Sequence, residues 1–293
     1  MKKLLALLLA IVMLFTLAAC SGSDDDDDDD DDRKSSSKKK NEEKLDFEEV
    51  VLVDTDEYTV TITDIDPDGD WGYTFHARFE NNTDIDVEFT IDDSYINDIE
   101  CNPFFYTEVP AGETAKEEIA FYEEDFALCE IEDVTKFEFI MRIYDSEDWS
   151  EPLYEEDFTI FPMGEDAAIS QSREPKKGDI VLVDNEFGSI TATGIDPDYV
   201  MGYAVHVYVE NNSDMELYFN VDNALVNGEP IDPFWGRIIP AGKRVYTTMY
   251  WSEENLEEYD IDLKDINEID LEIQLTDWES FVELAVVEAT IEP

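Results

Sequence analysis

The chain has 293 residues and carries 76 Asp and Glu against 19 Lys and Arg, a formal charge of −57. Such acidity excludes nucleic acid as a partner, because a polyanion is held by clustered cations, and it opposes adsorption of the folded part to anionic lipid. With 43% hydrophobic and 12% aromatic residues a packed core is within reach, while two His and three Cys leave little for His-based catalysis or a thiolate metal centre.

Lys2 and Lys3 precede an apolar run from Leu4 to Ala19 that ends Leu17-Ala18-Ala19-Cys20. A basic head, a short apolar stretch and small residues at its end make a secretory signal over residues 1–19. The stretch is shorter than the roughly 20 residues wanted for a spanning helix. The Leu-Ala-Ala-Cys ending resembles the lipobox of bacterial lipoproteins. That resemblance implies a diacylglycerol on the Cys20 thiol, cleavage just before it, and a mature chain held at the outer, extracellular face of the cell membrane.

Residues 20–44 follow as a tether. Asp24 to Asp32 are nine consecutive carboxylates, and a Ser/Lys tract runs on to Lys40. Adjacent like charges repel and offer nothing to bury, so the segment is expected to stay unfolded and extended. Carboxylates are hard oxygen ligands for calcium, but an unstructured run offers no preformed cage.

The rest is a duplication with a period of 130 residues. Val51-Leu52-Val53-Asp54 recurs as Val181-Leu182-Val183-Asp184, Gly72-Tyr73 as Gly202-Tyr203, Glu80-Asn81-Asn82 as Glu210-Asn211-Asn212, and Pro110-Ala111-Gly112 as Pro240-Ala241-Gly242. This places one domain at 45–163, a short polar linker at 164–177 and a second domain at 178–293. Inside each copy the hydrophobic period is two. Tyr73, Phe75, Ala77 and Phe79 alternate with polar residues, as do Ile85 to Ile91, Phe137 to Ile143 and their counterparts in the second copy. That pattern predicts half-buried antiparallel strands, and seven or so in each copy predict two tandem antiparallel β-sandwiches, an all-β fold. The Asn-Asn pairs suit tight turns with positive φ, and Val109-Pro110-Ala111-Gly112 suits a type I turn. Ser252 before Glu253-Glu254 reads as the N-cap of a short helix. Leu256 and Tyr259 would share its inner face, as Phe126 and Cys129 would in the first copy.

The Asn-Asn-Ser/Thr hairpin after an alternating strand, with the Pro-Ala-Gly turn before the next, resembles the immunoglobulin-like, telokin-like domains of unknown function on lipoproteins of Gram-positive bacteria. The resemblance covers both copies and implies the sandwich fold and a surface location. It brings no catalytic residues.

Candidate sites are few, and none is catalytic. His76 and His206 hold the same repeat position, one per copy, and cannot pair within a site. Asp64, Asp66, Asp68 and Asp70, with Gly69, match the first half of an EF-hand loop, but position 12 is Phe75, so calcium is the one weakly supported cofactor. Cys101 and Cys129 are the only cysteines after the anchor. An exported chain lets disulfides persist, so a bridge between them is expected, with two buried free thiols as the alternative. Trp71, Trp149, Trp235, Trp251 and Trp278 sit near strand ends, where exposed rings could stack on sugars. Pro103-Phe104-Phe105 and Pro233-Phe234-Trp235 are the sharpest ligand candidates. Phe104 and Phe234 are expected to plug the core while Phe105 and Trp235 face outward as contact points; the alternative folds the second ring over the core. The function these features favour is a non-catalytic interaction or spacer module of the envelope, binding a protein or glycan. Carbohydrate binding through exposed aromatics and acidic cation binding remain open beside it.

Overall fold

The computed structural model describes residues 47–293. The signal at 1–19, the lipid acceptor Cys20 and the whole tether at 20–44 lie outside the described residues. The chain is all-β. In the first repeat the strands are β1 (Val50–Asp54), β2 (Tyr58–Gly69), β3 (Gly72–Asn81), β4 (Val87–Ile96), β5 (Ile99–Glu100), β6 (Tyr106–Val109) and β7 (Thr114–Tyr122). Helix α1 (Glu123–Leu128), β8 (Phe137–Asp145) and β9 (Tyr154–Ile160) complete it. The second repeat has the same order: β10 (Ile180–Asp184), β11 (Gly188–Tyr199), β12 (Gly202–Asn211), β13 (Leu217–Val226), β14 (Glu229–Pro230), β15 (Gly236–Ile239), β16 (Arg244–Ser252), α2 (Glu253–Glu257), β17 (Ile269–Asp277) and β18 (Glu283–Ile291).

Each repeat packs two antiparallel sheets face to face. In the first, β1-β2-β3-β7 lies against β5-β4-β8-β9 with β6 on β4; in the second, β10-β11-β12-β16 lies against β14-β13-β17-β18 with β15 on β13. The period-two pattern sets the inner face. Phe75, Ala77 and Phe79 of β3 are buried, and His76, Arg78 and Glu80 between them are half-exposed. Phe137, Phe139, Met141 and Ile143 of β8 face them. Phe75 and Phe121 each bring their rings to 5.1 Å from Phe137. Burying each such ring stabilises the fold by about 1.5–3 kcal/mol. Ile85, expected in the β4 alternation, precedes the strand and is exposed.

Gly72 and Gly202 recur for a steric reason. Each has φ above 120°, and a Cβ there would stand 2.2 Å from the Phe121 carbonyl oxygen or 2.1 Å from that of Trp251. No L side chain fits that approach. Asn81 and Asn211 serve differently from expectation. Neither has positive φ, and both are fully buried. Asn81 Nδ2 donates to the Ile85 and Val109 carbonyls at 2.8 and 2.9 Å, while its Oδ1 accepts from Thr83 N and Oγ1. Asn211 makes the same four bonds in the second repeat. The amide thus ties the hairpin to the end of the strand that enters Pro-Ala-Gly, which is why the two motifs occur together. That turn also sits one residue later than expected. Glu113 N donates to Pro110 O at 3.0 Å, leaving Gly112 third with φ 71°, the position where a type II turn requires positive φ.

Ser252 caps α2, its hydroxyl accepting from Asn255 N at 3.2 Å. Leu256 is buried beneath the helix, but Tyr259 lies beyond its end and is 40% exposed. In the first repeat Tyr122 replaces the capping Ser, and no side chain caps α1.

The repeats are joined edge to edge. β16 pairs in parallel with β5 at Arg244 and Ile99, making one nine-stranded sheet across both, and Arg244 N donates to the Asp98 carbonyl at 2.9 Å. The segment read as a linker is bonded to both sides: Gln171 N donates to Asn97 O at 2.9 Å, and Arg173 N to the Tyr208 hydroxyl at 3.1 Å. Arg173 also pairs with Asp179 at 2.6 Å and, with Lys176, reaches Glu130.

Candidate interaction site

The outer face of β1-β2-β3-β7 carries an aromatic outcrop, and the second repeat carries its counterpart. Phe104 N donates to Ala120 O at 3.0 Å and Phe234 N to Tyr250 O at 2.8 Å, which fixes the loop against the sheet edge and turns both rings outward. Phe104 is 73% exposed and stands 6.1 Å from Tyr122. Trp71, at the β2–β3 turn and 63% exposed, stands 6.4 Å from the same tyrosine, edge to face. In the second repeat Phe234, 51% exposed, stacks on Tyr250 at 5.1 Å and 18°, with Tyr199 5.9 Å away. The matching hairpin there ends in Val200 and Met201, both exposed.

The second ring follows the alternative reading, folded over the core, and the first ring reverses its expectation. Phe104 and Phe234 do not plug the core, and Phe105 and Trp235 do not face outward. Phe105 stacks on Phe79 at 5.2 Å and packs against the first core; Trp235 packs against the second, its Nε1 buried without a partner among the described residues. The cause is the strand that follows. Val109 and Thr107 point inward along β6, as Ile239 does along β15, so counting back by two puts 105 and 235 inside and 104 and 234 outside. The burial alternation runs back from Val109 to Pro103, but the three consecutive aromatics Phe104, Phe105 and Tyr106 mask it in the sequence.

The other expected sites resolve differently. Cys101 and Cys129 are brought together in the first core, each as a buried thiol. Cys129 Sγ donates to the Glu100 carbonyl at 3.5 Å. The hydrogen bond with Cys129, together with burial, pushes the Cys101 thiol far up, so it stays protonated. Asp64, Asp66, Asp68 and Asp70 do not converge on a cation. They lie along the β2–β3 hairpin, whose register shifts between Ile62 and Asp64 and again between Asp66 and Gly69, with Asp70 in the turn beyond the strand; Asp64 Oδ1 accepts from Ile65 N and Asp66 Oδ1 from Asp68 N. Among the described residues no three His, Cys, Asp or Glu side chains are grouped to hold a metal. His76 lies 3.7 Å from Glu118, and His206 Nδ1 lies 3.0 Å from the Thr248 hydroxyl, each on its own sheet face. Of the remaining tryptophans, Trp251 is core, its Nε1 donating to Ile231 O at 2.9 Å, while Trp149 stacks on Tyr144 at 4.8 Å and Trp278 lies 5.8 Å from Tyr218.

No family model matches the chain, and no curated protein does. Among solved structures it is similar to the Salmonella enterica SafA pilin in complex with the SafB chaperone, at 11% identity and a TM-score of 0.22 over 74% of this chain and 89% of that one. It is also similar to the YadV chaperone, at 7% identity and a TM-score of 0.21 over 75% and 92%.

Proposed function

We propose that the chain is a non-catalytic interaction lipoprotein of a bacterial cell envelope, anchored through Cys20 and touching its partner with the aromatic outcrops around Phe104 and Phe234. One observation carries the reading: a large ring is held exposed at the same repeat position in both copies, although core positions were available one residue away. Exposed aromatics at a conserved geometry supply contact area at low entropic cost, which is why they dominate binding hot spots. Between repeats the ring's neighbour changes from Tyr122, itself against Trp71, to Tyr250, itself against Tyr199. The two copies therefore present related but non-identical surfaces to one extended partner.

The exposed Trp71 ring supports a second reading, in which the partner is a glycan stacked on flat aromatic faces. Binding of the purified chain to isolated cell envelopes separates the two. Loss of binding after protease treatment of the envelopes identifies a protein partner, and loss after muramidase treatment a glycan. No saturable binding to envelopes contradicts both. The anchor has its own test: Cys20→Ala should abolish lipid labelling and membrane retention, and unchanged retention would contradict it.

A further inference from the structure

Cys101 and Cys129 meet where the first repeat holds the second. Cys101 directly follows β5, the strand that pairs with β16, and its backbone is pinned twice: Cys101 N donates to Ser94 O at 3.1 Å, and its carbonyl accepts from Ser94 Oγ at 2.6 Å. Cys129 closes α1, its N donating to Asp125 O at 2.9 Å. Both side chains are buried in one core, and Cys129 Sγ lies 3.5 Å from the carbonyl oxygen of Glu100, the residue before Cys101. A disulfide forms only where the backbone already brings the two sulfurs together. The second repeat does without this arrangement. Its counterparts are Ile231 and Tyr259, and although φ is 56° at both Glu130 and Asp260, Tyr259 is 40% exposed where Cys129 is 5%. The residues beside the two cysteines carry contacts across the joint. Glu100 pairs with Arg237 of the second repeat, and Glu130 with Lys176 at 2.5 Å and Arg173 at 3.5 Å in the segment between the repeats.

We propose that Cys101 and Cys129 are joined in the exported chain by a disulfide that clamps β5 to the end of α1 and so holds Glu100 and Glu130 in place for the second repeat. The inference rests on the export reading, because disulfides persist outside the reducing cytosol. The oxidant is the disulfide of an exported thiol oxidase. One cysteine thiolate attacks it, forming a mixed disulfide and expelling one oxidase thiolate. The other cysteine thiolate then attacks the first cysteine's sulfur, closing the Cys101–Cys129 bond and expelling the second. The chain gives up two electrons and two protons, and the oxidase leaves as a dithiol. Burial sets the timing. The thiolate is the attacking form, and in the folded core the hydrogen bond with Cys129 and burial keep the Cys101 thiol protonated. Exchange therefore precedes closure of the core, and closure then shields the bond.

The test uses the full chain isolated from the envelope of an exporting host lysed in iodoacetamide. Its intact mass reports lipidation and bridging separately. Neither Cys101 nor Cys129 should take label in urea until reductant is added, and both should take it afterwards. The parent, reduced in urea and refolded with reductant, should lose at least about 0.5 M in urea midpoint. Amide exchange at Arg244, whose N donates to the Asp98 carbonyl, should quicken at least about threefold in that reduced chain. A Cys101→Ala/Cys129→Ala chain should respond to reductant in neither measurement. A lipidated chain whose two cysteines take label in urea without reductant overturns the bridge. An unprocessed chain overturns the export reading and this proposal with it. A bridged chain whose Arg244 exchange ignores reduction, or an alanine chain that responds to reductant as the parent does, overturns the clamp.

Discussion

Lys243 Nζ, in the second repeat, lies 2.8 Å from Asp98 Oδ1 in the first. The same ammonium reaches Glu138 Oε2 at 2.6 Å, and Lys136 contacts both acids from the other side. Two cations and two carboxylates, all mostly covered, thus fasten the sheet edge where β16 meets β5. Tyr246 of β16 packs against the first core alongside them. The repeats behave as one body for this reason, and the duplication reads as a way to hold two outcrops in fixed register.

Removing Lys243 should loosen that joint. Lys243→Ala leaves Asp98 and Glu138 sharing one cation and is expected to cost about 1–3 kcal/mol of unfolding free energy. Urea unfolding followed by the fluorescence of Trp71 and Trp251 variants measures it. A cost below about 0.5 kcal/mol, the range of an ordinary surface substitution, would contradict the joint.

The joint should also be sensitive to acid. Burial alone would push the Asp98 carboxyl up, but hydrogen bonds from Lys136 and Lys243 outweigh it and hold the group well below the usual carboxylate range. A group depressed in the folded state contributes stability above its unfolded pKa of about 3.9 and loses it as pH falls towards the folded value. The urea midpoint should therefore fall below about pH 4 by this route, and fall less in Asp98→Asn. Relief of repulsion among the other carboxylates acts in the opposite sense, so the comparison with the variant carries the test. Equal acid dependence in both would remove Asp98 from the account.

Asn81 should be among the least replaceable residues. Asn81→Ala strands two buried carbonyls, Ile85 and Val109, and should cost about 2–3 kcal/mol. Asn82→Ala, next door and exposed, should cost less than about 0.5 kcal/mol. Similar midpoints for the two variants would refute the bracing role.

Adjacent aromatics should respond oppositely. Phe105→Ala and Trp235→Ala are expected to lose about 3 kcal/mol or more of stability, whereas Phe104→Ala and Phe234→Ala should stay within about 0.5 kcal/mol of the parent. Matching losses at 104 and 105 would show that both rings serve the core.

When the pair is reduced, Cys101 and Cys129 should resist alkylation in the folded chain and react once it is unfolded. The low thiolate fraction at Cys101 and the burial of both sulfurs protect them. Mass spectrometry after iodoacetamide, with and without urea, counts the labels. Modification of either residue without denaturant would contradict the buried thiol pair.

Much of the fold was legible in the sequence because its signals are local. Alternation placed Phe75 and Phe79 inside β3, and the Ser252 cap announced α2. The constant offset of 130 gave the second copy the strand order of the first. The site was less legible. The parity at Phe104 was hidden because the Pro-Phe segment precedes β6 and β15 and is fixed by isolated bridges from Phe104 to Ala120 and from Phe234 to Tyr250, partners far away in the chain. Asn81 looked like a turn former because its role depends on Val109, 28 residues later. The joint left no local trace: Ile99 and Arg244 show no pattern that a period of two or a turn motif would single out, and their pairing depends on two tertiary surfaces meeting.

The central claim is that the rings at 104 and 234 face a partner rather than the core. Saturable binding of the Phe104→Ala/Phe234→Ala chain to isolated cell envelopes, measured beside the parent and with both unfolding midpoints recorded, tests it most directly. The account predicts an unchanged midpoint and a loss of affinity of about tenfold or more, the order expected when a hot-spot ring is truncated. Parent-like binding by a stably folded double variant would contradict it.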